Sequence, residues 1–105
     1  MGRSLSVKTL KKTVWDKTGG VCAHCGRPAN GRKATIDHFI PRALGGGSDK
    51  RNLMPLCVGC NIKKSDNDME AVSYYKFAPE WAVRQCLNYK EEWESGRRSL
   101  DGTTY

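Results

Sequence analysis

A small α+β domain with a core too thin to stand unaided is what this sequence predicts, and three observations carry the prediction. The chain has 105 residues, of which 38% are hydrophobic. A domain of that length buries only ~60–65% of the surface its unfolded chain exposes, so a staple is expected. Helical periodicity lies at the two ends, while glycine and proline break the centre into short extended pieces. Two Cys-x-x-Cys pairs, Cys22–Cys25 and Cys57–Cys60, flank that centre. The expected layout is one domain over 1–105: a helix over about 6–17, a core over about 20–66, and a helical part over about 68–95.

The first helix takes Ser6 as N-cap and stops at Gly19-Gly20. Val7, Leu10 and Val14 form its apolar stripe, and Lys8, Lys11 and Lys12 lie off it. In the centre, Thr35-Ile36-Asp37-His38 and Asn52-Leu53-Met54-Pro55-Leu56 read as two extended pieces. The connection from Phe39 to about Arg51 is long for a compact domain, which marks it as functional, and Gly45-Gly46-Gly47 within it reads as flexible. A short helix follows Cys60. Asp68 to Tyr75 reads as a short helical turn. The last helix begins at Pro79 and ends at Gly96, with Ala82, Val83, Cys86, Leu87 and Trp93 toward the core. Tyr74, Tyr75, Phe77, Trp81, Tyr89 and Trp93 are expected to pack that core.

Charge and composition narrow the function. Eighteen Lys and Arg against 11 Asp and Glu give +7, which favours a polyanionic partner, most simply nucleic acid. No apolar run approaches the ~20 residues of a membrane-spanning helix. The first twenty residues hold no apolar stretch of the kind a secretory signal carries, so reduced thiols are expected and cysteines read as metal ligands. Two Cys-x-x-Cys turns close a tetrahedron of thiolates, which is the geometry of structural zinc. Thirty-one residues separate the pairs, so Cys22, Cys25, Cys57 and Cys60 would pin the ends of a sizeable insert. Four protein ligands leave no open position, and such a zinc is not catalytic. His24, inside the first pair, is not needed as a ligand, and Cys86 reads as a small buried hydrophobe.

The insert carries an ordered set of chemical residues: Asp37-His38, Pro41, Gly45-Gly46, Asn52-Leu53, Leu56, and Cys57-x-x-Cys60-Asn61-x-x-Lys64. From Cys22 to Lys64, 43 of 105 residues, this string resembles the HNH endonuclease family with its ββα-metal fold. Asn61 stands where the family's final histidine would be, which makes this an H-N-N variant. The resemblance implies metal-dependent hydrolysis of DNA phosphodiester bonds, leaving 5′-phosphate and 3′-hydroxyl ends. His38, near its ordinary pKa, suits the general base. Asp37 and Asn61 would hold one divalent ion, and oxygen ligands favour Mg²⁺ or Mn²⁺. Asn52 would bond the backbone of the long loop and orient His38.

Adjacent residues of a regular strand point to opposite faces, so a bend or bulge is expected at Asp37-His38. Arg27, Arg32, Lys33, Arg42, Lys50, Arg51, Lys63 and Lys64, 8 of the 18 basic residues, fall in or beside the insert. Of these, Arg42, Lys50, Arg51, Lys63 and Lys64 are the expected phosphate contacts, giving salt-dependent binding with little sequence preference. One such site nicks one strand, and cutting both strands would need a homodimer or a partner protein. The setting expected is cytoplasmic, in a bacterium or phage. The competing reading is a non-catalytic zinc module that binds nucleic acid, or a nuclease subunit of a larger machine such as phage DNA packaging.

Overall fold

A computed structural model describes residues 7–29, 33–64 and 69–96. Ser6, Asn30 to Arg32, Asp68 and the two chain ends lie outside the described residues. Helix α1 spans Val7–Trp15 and tightens into a 3₁₀ turn at Asp16–Thr18. Gly19 ends it with φ +71°, a left-handed conformation that glycine adopts without strain, and its N–H bonds the Asp16 carbonyl. Val14 is buried as the stripe requires. Trp15 is also buried, and its indole N–H donates to the Thr35 carbonyl at 2.8 Å, tying α1 to the sheet.

The sheet is a two-stranded antiparallel hairpin, β1 (Ala34–His38) and β2 (Leu53–Cys57). Its register runs unbroken from Ala34 opposite Cys57 to His38 opposite Leu53, so the bulge expected at Asp37-His38 does not form. Nothing demands one: Thr35 and Asp37 share the face gripped by the next helix, and His38 takes the other face. That next helix, α2 (Val58–Lys64), leaves directly from the end of β2. A 3₁₀ segment over Met69–Tyr74 leads toward α3 (Glu80–Gly96).

The core gathers Trp15, Phe39, Ile40, Met54, Leu56, Tyr75, Ala82, Cys86 and Tyr89 around the hairpin. Helix α3 contributes Ala82, Cys86 and Tyr89, with Trp93 packed beside them, which is one helical face. Leu87 is exposed instead of buried, because it falls off that face. Two of the six aromatic residues also stay outside the core. Trp81 sits on the outer face of α3 and is 53% exposed. Phe77, equally exposed, lays its ring against Gly26, where a β-carbon would come within 2.8 Å of it.

Candidate active site and metal centre

The four cysteines come together at one end of the hairpin. Their sulfurs all lie within 4.8 Å of one another, although Cys25 and Cys57 are 32 residues apart. The first knuckle hangs on β2 through the Ala23 N–H, which donates to the Pro55 carbonyl at 2.8 Å. The second is the junction of β2 and α2. Amides of His24 and Cys25 donate to the Cys22 sulfur at 3.3 and 3.4 Å. Burial opposes ionisation of Cys22, but neighbouring amides outweigh it and bring its pKa down to about 7. Cys60 is pushed well up, first by burial and then by the other three thiols.

Four sulfurs so placed cannot all ionise unless a cation joins them, and a tetrahedral zinc would supply that charge. The donor set fits a structural ion. His24 stands beside the cluster: its ring stacks on Tyr74 with centroids 3.7 Å apart, and its Nδ1 lies 2.8 Å from the Tyr74 carbonyl. The Tyr74 hydroxyl donates to the Cys60 carbonyl at 2.6 Å, so one tyrosine braces both knuckles.

At the opposite end, β1 delivers Asp37 and His38. Asp37 is only 4% exposed. Lys64 Nζ lies 3.2 Å from its Oδ1, and the Tyr75 hydroxyl donates to its Oδ2. Burial pushes the Asp37 carboxyl up, against the opposing pull of Lys64 and the Tyr75 hydroxyl. Asn61, from α2, donates through Nδ2 to Thr35 Oγ1 at 2.8 Å and to the Ile36 carbonyl at 3.4 Å. Its Oδ1 is then the atom suited to a cation. An ionised carboxylate has about four acceptor positions, of which Lys64 and Tyr75 use two at Asp37. Asp37 and Asn61 therefore have the oxygen chemistry for a hard divalent ion. The His38 ring is half-buried, with Nε2 3.4 Å from Ser48 Oγ. Burial lowers its pKa, and the charges of Arg42 and Lys64 lower it further, which favours the neutral imidazole.

The loop between the strands is built, not slack. Asn52 is fully buried: its Oδ1 accepts from the Ile40 N–H at 2.7 Å, and its Nδ2 donates to the carbonyls of Ile40 (3.2 Å) and Gly47 (2.8 Å). Gly46 is glycine for space and not for flexibility, since a β-carbon there would stand 1.8 Å from the Ile40 carbonyl oxygen.

Two of the basic residues expected to meet phosphate are placed otherwise. Lys64 is 2% exposed, its ammonium spent on Asp37 and the His38 carbonyl, because the buried carboxylate needs a counter-charge. Its spacing of four from Cys60 on a short helix was the available signal, since both lie on the buried side. Arg51 forms paired bonds with Asp49 and with Glu92. Arg42, Lys50 and Lys63 are exposed.

A hairpin with a long loop, a following helix and a tetrathiol staple defines the class, and comparison with known proteins agrees: residues 22–67 match the HNH endonuclease family. The chain is 29% identical over 83 residues to the CRISPR-associated endonuclease Cas9 of Corynebacterium diphtheriae, covering 76% of this chain and 8% of that protein. It is 26% identical over 76 residues to the Cas9 of Actinomyces naeslundii, covering 71% and 7%. The crystal structure of the Type II-C Cas9 enzyme from Actinomyces naeslundii superposes with a TM-score of 0.58 at 18% identity, over 85% of this chain and 13% of that one. The chain thus spans less than a tenth of the length of these curated relatives. Among the described residues, no helix is long and apolar enough to cross a membrane.

Proposed function

We propose that the chain hydrolyses DNA phosphodiester bonds, with His38 as general base and with Asp37 and Asn61 holding one divalent cation, Mg²⁺ or Mn²⁺. One observation carries this reading. In-line displacement puts the attacking water and the leaving oxygen on opposite sides of phosphorus. The regular register of β1 puts His38 and Asp37 on opposite faces of the strand's last two residues. His38, neutral and half-buried, takes the proton of the attacking water. A cation bound by Asp37 and Asn61 would neutralise charge developing on the phosphate and the leaving oxygen. Lys64 and Tyr75 hold the Asp37 carboxylate in place, and Asn61 is oriented by Thr35 and Ile36. Asn52 shapes the loop through Ile40 and Gly47, and so helps orient His38. Exposed Arg42, Lys50 and Lys63 contact phosphates. The tetrathiol cluster holds zinc and keeps the hairpin closed.

A plasmid-nicking assay with Mg²⁺ or Mn²⁺ tests the proposal. His38→Ala is expected to lose at least ~100-fold in rate while keeping fold and zinc, as removal of a general base does. A wild-type protein that is folded, zinc-loaded and inert in every divalent ion would leave the non-catalytic binding module as the better account.

A further inference from the structure

Helix α3 lies wholly outside the segment that matches the nuclease family, yet it reaches the candidate site. We infer that Tyr89, seconded by Glu92, is a positioning residue for the hydrolytic reaction: it fixes the loop so that Ser48 meets His38. The inference rests on the nuclease reading above and adds to it a part of the chain that the family does not assign.

The argument concerns the neighbours of Ser48. Ser48 is exposed, and its hydroxyl is 3.4 Å from His38 Nε2, near the outer limit for a hydrogen bond. Where that hydroxyl stands depends on the two residues flanking it, and both are tied to α3. On one side, the Gly47 N–H donates to the Tyr89 hydroxyl at 2.9 Å, while the Gly47 carbonyl accepts from Asn52. The Gly47 residue is thus held from α3 and from the loop's own buried amide at once. On the other side, Asp49 accepts from the Arg51 backbone N–H and side chain, and the same guanidinium forms two bonds to Glu92 at 2.8 and 3.0 Å. Arg51 also lies over the Tyr89 ring, 5.6 Å from its centroid. The Tyr89 ring is 1% exposed, so its hydroxyl is a fixed post.

A general base works when a third group sets its direction. Misplacing a reacting group by about 1 Å can cost ~100-fold in rate. The Ser48 hydroxyl lies within reach of a His38 ring nitrogen, and the attachments of its two neighbours to α3 hold it there.

The test compares Tyr89→Phe, Glu92→Gln and Ser48→Ala with wild type in plasmid nicking with Mn²⁺, alongside zinc content and melting temperature. Tyr89→Phe keeps the buried ring and removes only the oxygen. Its kcat is expected to fall ~10- to 100-fold with KM for DNA unchanged and zinc retained. Ser48→Ala should fall by a similar factor, and Glu92→Gln less, in the same sense. The decisive variant is Tyr89→Phe with Ser48→Ala: if Tyr89 acts through Ser48, the pair loses no more than the worse single change.

Wild-type rates in Tyr89→Phe, losses that multiply in the double variant, or losses confined to KM overturn the inference and leave the nuclease reading standing. Should Tyr89→Phe shed its zinc, the exposed Glu92→Gln replaces it in the same cycle with Ser48→Ala. An inert wild type overturns both readings.

Discussion

The two ends of one short hairpin are fastened by opposite means. Where Ala34 faces Cys57, four sulfurs crowd together in an arrangement that could hold a cation. Where His38 faces Leu53, the closure is an amide, a phenol and a guanidinium, each making ordinary hydrogen bonds. The first fastening, if a cation holds it, is all or none, because without the ion the sulfurs take up protons and nothing joins them. The second is a sum of small terms that can be changed one at a time. At the proposed catalytic end the second kind lets group positions be adjusted without risking the fold.

The largest test of this contrast is removal of zinc. A strong chelator, or Cys57→Ser, should unfold the domain, since a structural zinc supplies on the order of 10 kcal/mol, comparable to the stability of a whole domain. Circular dichroism before and after re-addition of zinc measures it; a chelated protein that keeps its secondary structure would erase the distinction between the ends.

Next comes the buried pair at the proposed catalytic end. Lys64→Met strips the counter-charge from Asp37 and should cost ~3–5 kcal/mol in chemical denaturation, with part recovered when Asp37→Asn is added. Asn52→Ala leaves the Ile40 N–H and the Gly47 carbonyl without their partner and should cost ~2–4 kcal/mol, with zinc content unchanged.

The smallest effect is acid loosening of the Arg51 clasp. Hydrogen bonds from Arg51 hold Asp49 and Glu92 below their ordinary pKa values. An unfolded chain then binds more protons than the folded one just below pH 4.5, so this stabilisation is present above that value and lost as pH falls through the lowered pKa values. Melting curves of wild type and Glu92→Gln should differ slightly at pH 6 and converge toward pH 3. A gap that widens on acidification would show that the clasp is not what separates them.

Much of this organisation could be read in the residues. Glycine and proline punctuation placed both strands to within a residue, and the Cys-x-x-Cys spacing found the staple because ligand geometry is local. The polar partners of the site were harder. Tyr75 meets Asp37 across 38 residues, and no local pattern encodes that. A lysine reads as surface, which points Lys64 to phosphate, whereas the fold holds it inside against a carboxylate. The triple glycine read as slack because spacing shows freedom and not crowding, and only the fold shows the Ile40 carbonyl against Gly46. Residue type points Trp81 and Phe77 to the core, while helix phase puts Trp81 outside.

The segment Cys57–Lys64 has no spare length. Eight consecutive residues end a strand, supply half the sulfur cluster, turn into α2, present Asn61 to Thr35 and send Lys64 to Asp37. One peptide bond separates Cys60 from Asn61. An inserted residue there would turn every later side chain by about 100° around the helix axis, carrying Asn61 and Lys64 away together. A single-residue insertion scan along the chain should therefore find its sharpest intolerance between Cys57 and Lys64.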